Sequence, residues 1–299
     1  MKHHYTSIVV ASAAGVLLAI SAGRTTEVSA QTPSPPNVLT SPAPRMANGK
    51  PDLQGVWQRP YTPDMTRNGR GQKGYAEPPF TPADTPQVRD GLRRRGEYGD
   101  LPYTAAGLEA WKSYDIASLN TPEGPGDYTG SCFPFGMARS VNSPDPMQIM
   151  QNDKYLSLMF EVNSWFHVVP IDGRDHLKGD QLNPTWFGNS IGRWDGDTLV
   201  IDTIGFNGYT RLDTNGHPHS DQLHLSQTLR RTDMGHIDYT MTVDDPKYYT
   251  KPWKNERIFT LMSTEIIEYS CEENNRSLWD GRIKMWLPPW AKDSKGLRK

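Results

Sequence analysis

The stretch FGNSIGRWDGDTLVIDT, residues 187–203, decides the fold class. Two runs of alternating apolar and polar residues, 187–194 and 197–203, flank the dipeptide Asp195-Gly196. Asp-Gly between two alternating runs is a strong signal for a two-residue hairpin turn, because both residues tolerate the left-handed backbone that such a turn requires. The stretch therefore predicts a pair of antiparallel strands.

The same alternation continues on both sides of this hairpin. It predicts eight antiparallel strands, near residues 154–162, 165–171, 187–194, 197–203, 222–231, 236–243, 253–261 and 265–271. A meander of this size with two alternating faces usually closes into a barrel or folds into a sandwich. The 25 prolines and 26 glycines also favour a turn-rich β protein over a helical bundle.

The lengths of the connections predict where a site lies. The short connections are 163–164, 195–196, 232–235 and 262–264, and the long ones are 172–186, 204–221 and 244–252. Alternate connections of an up-and-down meander lie at opposite ends, so we expect the short turns at one end and the long loops at the other. Binding residues are often found on long loops and at barrel mouths. The long-loop end is therefore the predicted functional end.

The sequence before the meander predicts four further segments. Residues 1–30 are interpreted as a signal peptide rather than a signal anchor, because their apolar run is short. Residues 31–50 are a Pro-rich linker. An irregular N-terminal extension, 51–146, contributes a strand at 52–57 and two short helices, from Pro82 and after the capping residue Thr104. The barrel domain spans 147–275, and 276–299 form a C-terminal tail.

Charge and cysteine content bound the compartment and the partners. A secretory signal predicts a secreted or periplasmic protein that has no membrane attachment after cleavage. In an oxidising compartment the two cysteines, Cys132 and Cys271, form a disulfide or remain as two buried thiols. A net charge of −2 provides no bulk attraction to nucleic acid, so no nucleic-acid partner is expected.

Two resemblances refine the fold. Gly55-Val56-Trp57 resembles the Gly-x-Trp signature of lipocalins and the wider calycin group, in which the tryptophan closes the base of the barrel. The chain from 52 to 275 is also similar to a family of uncharacterised secreted bacterial proteins, through GRWDGDTL (192–199), GFN (205–207), GHPHS (216–220) and DDP (244–246). These resemblances imply export and a calycin/lipocalin-like antiparallel up-and-down barrel. They assign no catalytic residue.

A His/Asp cluster is the strongest indication of a chemically active site in the sequence. His217, His219 and Asp221 alternate, so their side chains would share one face of an extended segment. If 222–231 pairs with 236–243, His224 lies opposite about Val243, beside Asp244 and Asp245. Such groups suit an acid/base pair or a metal site, although a loop held by hydrogen bonds explains them equally well.

Three functions follow from these residues. The first is an exported protein that binds a small molecule, such as a sugar or an aromatic compound, at the long-loop end. The ligand-binding candidates are Trp186, Asn207, Arg211, His224, Asp244, Asp245 and Tyr248. The second is a lyase, isomerase or hydrolase that uses His217, His219 or Asp221. The third is a carbohydrate-binding module with exposed aromatic residues. The sequence leaves open whether a cofactor or a metal is bound.

Overall fold

The structure, a computed structural model, describes residues 38–61, 64–66, 72–73, 101–114, 126–273 and 275–292. All of these lie within one unit, Pro36–Lys299. The predicted signal peptide, the first part of the linker and the helix beginning at Pro82 lie outside the described residues.

The hairpin around Asp195-Gly196 is present, and it belongs to a ten-stranded sheet. The strands are β1 Gly55–Gln58, β2 Gln72–Lys73, β3 Met147–Gln151, β4 Tyr155–Phe160, β5 Phe166–Pro170, β6 Asn189–Asp195, β7 Thr198–Ile204, β8 His224–Arg231, β9 His236–Asp244 and β10 Trp253–Met262. Every pairing is antiparallel. The prediction of an all-β antiparallel protein is thus confirmed.

The strand order runs β5-β4-β3-β1-β10-β9-β8-β7-β6, and β2 pairs with β10 beside this path. Alternate residues point inward, as in β10, where Trp253, Asn255, Arg257 and Phe259 are buried between exposed neighbours. These inward residues form the core with the apolar residues of β3, β4, β7, β8 and β9.

The two ends of the path, β5 and β6, meet through side chains rather than through a strand ladder. His167 Nε2 lies 2.8 Å from Ser190 Oγ, and a Cβ built on Gly192 would lie 2.5 Å from Ile171. The path contains nine strands, each antiparallel to its neighbours, so its first and last strands run in the same direction. The sheet therefore curves round without a hydrogen-bonded closure between β5 and β6.

The observed strand order places the connections differently from the prediction. Connections 152–154, 196–197 and 232–235 lie at one end, here called the turn end. Connections 161–165, 205–223 and 245–252 lie at the other, here called the loop end. The short turn at 161–165 is therefore among the long loops, and the 171–188 connection runs from the turn end to the loop end. The predicted separation of all short turns from all long loops is wrong.

The predicted strand 265–271 is also absent. Residues 263–270 have no regular structure, because β1 occupies the place next to the end of β10, where Val56 pairs with Met262. β1 also pairs with β3, which joins the N-terminal extension to the 147–275 domain in one sheet. Within β1, Trp57 is fully buried, and the Arg231 guanidinium lies 4.9 Å from its ring centroid at the turn end.

Short helices surround the sheet: α1 Ala105–Lys112, α2 Met137–Val141, α3 Arg276–Trp279 and α4 Pro289–Lys292. The side chain of Thr104 accepts a hydrogen bond from Gly107 N, which confirms the predicted cap of α1. Within the described ranges no helix has the length and hydropathy that a bilayer crossing requires.

Cys132 and Cys271 form a disulfide with a Cα–Cα distance of 5.5 Å. It ties the segment before α2 to the irregular segment after β10. The backbone N–H of Cys271 also donates to Asn163 Oδ1 at 2.6 Å. The end of the 263–271 segment is therefore fixed both to the segment before α2 and to the β4–β5 turn.

We expect the purified, non-reduced protein to have a mass two hydrogen atoms below that of the reduced chain, because this one bridge uses both cysteines. Intact-mass spectrometry after alkylation without reductant measures this directly. The same sample alkylated after reduction is the control and should gain two labels. Two labels without reduction would contradict the pairing.

Candidate functional site

The loop end contains a buried group of one histidine and two carboxylates. His217 Nδ1 lies 2.6 Å from Asp213 Oδ2 and 3.9 Å from Asp64 Oδ1. All three side chains are buried. Asp64 follows β1 in the chain and the other two belong to the 205–223 loop, so the group joins segments about 150 residues apart.

Backbone and aromatic groups hold this His217 cluster in place. Asp213 accepts hydrogen bonds from the backbone N–H groups of Met65 and His217, at 2.7 and 3.2 Å. The Trp111 ring of α1 stacks on the imidazole at a centroid distance of 5.1 Å. Gly216, at φ +85°, approaches the Tyr114 ring so closely that a Cβ would lie 2.0 Å from it. The loop therefore depends on a glycine there.

The two carboxylates have opposite pKa shifts. Burial raises the pKa of Asp64; the charge of His217 counteracts this and that of Asp213 adds to it. For Asp213, burial also favours the neutral acid, but the charge and hydrogen bonds of His217 outweigh it and hold the pKa below its ordinary value. Because the two pKa values are shifted apart, Asp213 ionises readily whereas Asp64 resists ionisation. Such a pair suits acid/base chemistry.

One ligand atom from each of Asp64, Asp213 and His217 lies within 4.8 Å of the others. Nitrogen and oxygen ligands of this kind suit a divalent metal. However, Asp64 Oδ1 already accepts from Thr66 and its Oδ2 from Asn215 Nδ2. Both Asp64 oxygens that could coordinate a metal are thus already hydrogen-bonded to neighbouring residues.

His219 does not share this environment. Its Nε2 lies 2.5 Å from Thr210 Oγ1, and its Nδ1 lies 3.0 Å from the carbonyl oxygen of Ser220. Burial lowers its pKa to about 4. The carboxylate of Asp245 acts through space to raise this pKa, but burial is the larger effect.

The predicted acidic partners are dispersed. Asp221 is exposed, with Lys247 Nζ 3.5 Å from its carboxylate. Asp245 is buried and accepts from the backbone N–H and the hydroxyl of Ser220, at 2.5 and 2.8 Å. It therefore fixes one loop to another rather than facing a histidine.

His224 is paired one residue away from the prediction, opposite Asp244 rather than Val243. Both side chains lie on the outer face of the sheet, whereas His217 is buried among the loops. His224 Nε2 is hydrogen-bonded to Asp202, which His176 also contacts at 2.8 Å. The predicted convergence of His217, His219, Asp221 and His224 therefore does not occur.

The other candidates are half-buried at the loop end. Trp186 meets Phe133, Tyr209 and Trp286, mainly edge to face. Asn207 Oδ1 accepts from the backbone N–H of Tyr209. The Arg211 guanidinium lies 4.9 Å from the Tyr114 ring centroid.

Tyr248 holds α1 against the 245–252 loop. Its carbonyl oxygen accepts a hydrogen bond from the N–H of Thr104. The Tyr248 side chain is half-buried and packs against the hydrophobic core.

A cleft of about 240 Å³ opens at the loop end. It is lined by aromatic, hydroxyl and charged side chains: Tyr61, Phe135, Arg139, Ser143, Pro144, Asp145, Val162, Thr214 and Tyr269. Thr214 lies between Asp213 and Asn215 in the chain, so the cleft adjoins the His217 cluster. None of the predicted site residues lines it.

Sequence reasoning missed Asp64 and two buried arginines, Arg59 and Arg257. Nothing in the sequence connects Asp64 with His217. In contrast, Arg257 alternates with Trp253 and Phe259, and Arg59 alternates with Trp57. Because side chains two residues apart lie on the same face of a strand, this spacing places both arginines on the apolar, inward face. It is the sequence signal from which their burial could have been predicted.

Comparisons with known proteins leave the family open. No protein-family model matches the chain, and no curated protein matches it. Among solved structures it is similar to one titled "REP1-NXSQ fatty acid transporter", with 13% sequence identity and a TM-score of 0.25. The match covers 40% of this chain and 72% of that one. A likeness of this extent carries no inference about activity.

Proposed function

We propose that this chain is an exported small-molecule-binding protein on a calycin/lipocalin-like barrel, and that its ligand enters at the loop end. The cleft beside the His217 cluster carries the proposal. Small-molecule sites are concave, largely apolar and aromatic, and have few polar groups that orient the ligand. Phe135 and Val162 supply the apolar wall of the cleft, and Arg139 and Asp145 supply charge.

Arg139 supports this role because it is a fixed cation. Its guanidinium lies 5.1 Å from the Phe135 ring centroid, and its Nη1 donates to the Tyr128 hydroxyl at 3.1 Å. Burial works against its charge, yet the surrounding tyrosines and Asp127 raise the pKa of Arg139 above its ordinary value. A cation held beside an aromatic wall orients a polar or aromatic ligand.

We expect native mass spectrometry of protein purified from its host to show a bound small molecule that is lost on denaturation. Thr214→Trp should reduce the bound fraction at least tenfold, because the indole would fill the cleft. Thr228→Trp, on the outer face of β8, is the matched control and should keep the ligand. No bound molecule, or equal occupancy in both variants, would reject the proposal.

A second candidate is an acid/base enzyme, a lyase, isomerase or hydrolase, that uses His217 with Asp213 and Asp64. Its support is the opposite pKa shifts of two carboxylates around one imidazole. It ranks second because His217 is only 2% exposed. The carbohydrate-binding module stays a prediction; the edge-to-face rings around Trp186 do not offer it a flat strip.

A further inference from the structure

The interior of the sheet contains four polar side chains on adjoining strands. We call Arg59, Gln227, Tyr239 and Arg257 the interior donor cluster. Each is at least 98% buried. Tyr239 pairs directly with Arg257 across β9 and β10, and its hydroxyl donates to Gln227 Oε1 at 2.8 Å.

Arg257 has two buried hydrogen-bond donors without an acceptor, more than any other member of the cluster. Its Nε donates to Asn255 Oδ1 at 2.6 Å. Its Nη1 and Nη2 are buried, and no described residue places an acceptor within hydrogen-bond distance of either. A buried donor without an acceptor destabilises the folded protein, and it does so more strongly when it is charged. Both ends of the guanidinium fork are therefore open to an acceptor.

The other members add further buried donors. Arg59 uses its two Nη groups on Ser140 O, Ser143 Oγ and Asp145 O. Its Nε and the Gln227 Nε2 are buried and, like the Arg257 groups, have no acceptor in the described part of the chain. The cluster thus presents N–H donors from three side chains towards the interior.

The local charge is positive. Burial lowers the pKa of Arg59 to about 9 and that of Arg257 to about 10, and the two cations also repel each other at Arg59. Both values lie above neutral pH, so both groups stay charged. Asp145 and Glu161 act on Arg59, and Asp213 acts on Arg257, through space. Among the residues that the structure describes, no carboxylate is hydrogen-bonded to either guanidinium.

We propose that the interior donor cluster binds the oxyanion of a small organic ligand, a carboxylate, phosphate or sulfonate group, between Arg257 and Arg59. A planar guanidinium fork matches an oxyanion with two parallel hydrogen bonds. Water would satisfy the donors but would leave the charge unpaired.

The cleft connects this proposal with the proposed function, on which it rests. Ser143 and Asp145 line the cleft, and both accept hydrogen bonds from Arg59. Arg59, one member of the interior donor cluster, therefore lies directly behind the cleft wall. A ligand that enters at the loop end would place its anionic group on the arginines and its remainder in the cleft.

Isothermal titration calorimetry of the full chain with four phenyl compounds tests the proposal. Benzoate, phenyl phosphate and benzenesulfonate carry the candidate oxyanions, and benzamide is the neutral control. At least one oxyanion should bind ten times more tightly than benzamide. Arg257→Met should reduce that affinity at least tenfold, whereas Arg230→Met, at an exposed position on β8, should leave it unchanged.

The outcomes separate this inference from the proposed function. If benzamide binds as well as the oxyanions, small-molecule binding stands and the oxyanion site is overturned. Equal oxyanion affinity in Arg257→Met, or no oxyanion binding to the unaltered protein, overturns it too. If Arg257→Met does not fold, Gln227→Leu replaces it, because it removes one donor and keeps both arginines. A fivefold loss is then expected, and an unchanged affinity rejects the site.

Discussion

Replacing Asp213 by Ala is expected to lower the free energy of unfolding by about 3–5 kcal/mol, the usual cost of breaking a buried charge pair. The substitution removes the acceptor of His217 Nδ1 and of the Met65 and His217 backbone N–H groups. All of these donors are buried, so water does not replace the lost carboxylate. Urea unfolding followed by tryptophan fluorescence measures the loss.

Asp221→Ala is the matched control in the same loop. Asp221 is exposed and faces Lys247 at 3.5 Å, so its removal should cost less than about 1 kcal/mol. Equal costs for the two variants would show that the His217 cluster does not hold the loop end together. A stable Asp213→Ala variant would favour the acid/base alternative, because the buried carboxylate would then have no structural purpose.

The protein should lose stability between pH 7 and pH 5, and His219 is one of two buried histidines that contribute to this loss. Burial lowers its folded-state pKa to about 4, against an unfolded value of about 6.5. Below pH 6.5 the unfolded chain therefore binds a proton that the folded chain does not. Linkage then predicts a loss of about 2 kcal/mol from pH 7 to pH 5 for this group alone.

Urea unfolding at both pH values tests this prediction with two variants. His219→Gln should reduce the loss between pH 7 and pH 5, since it removes the titrating imidazole. Leu212→Ala, a fully buried site in the same loop, should lower stability at both pH values and keep the pH dependence. An unchanged pH dependence in His219→Gln would contradict the assignment. His167, whose pKa burial also lowers to about 4, contributes in the same direction at the β5–β6 contact.

Local signals were sufficient for several elements. Asp195-Gly196 determines its own hairpin, because the backbone conformation of the turn depends on those two residues alone. Thr104 likewise caps α1 through a hydrogen bond within the first helical turn. The alternation in β8 and β9 correctly predicts that these strands pair. The predicted register differs from the observed register by one residue. The length of the 232–235 connection does not by itself decide which residue of β9 faces His224.

The candidate site depended on non-local contacts. His217, His219 and Asp221 share the parity of an extended segment, but their loop is irregular, and Asp213, Ser220 and Asp245 fix each side chain separately. The alternation around Arg257 predicts that it points inward. It does not predict that Arg59 and Gln227 meet it there, because those residues belong to other strands.

The sequence by itself determined that the protein is built from antiparallel strands, and it located the hairpins around Asp195-Gly196 and 232–235. These properties follow from turn chemistry and from a period of two, and both act over a few residues. Only the tertiary structure decided that β1 enters the sheet between β3 and β10, which displaces the expected strand at 265–271. It also decided that Asp64 meets His217 and that two arginines share one interior. Those contacts join residues that are far apart in the chain, and their geometry is fixed by how the whole sheet curves and packs.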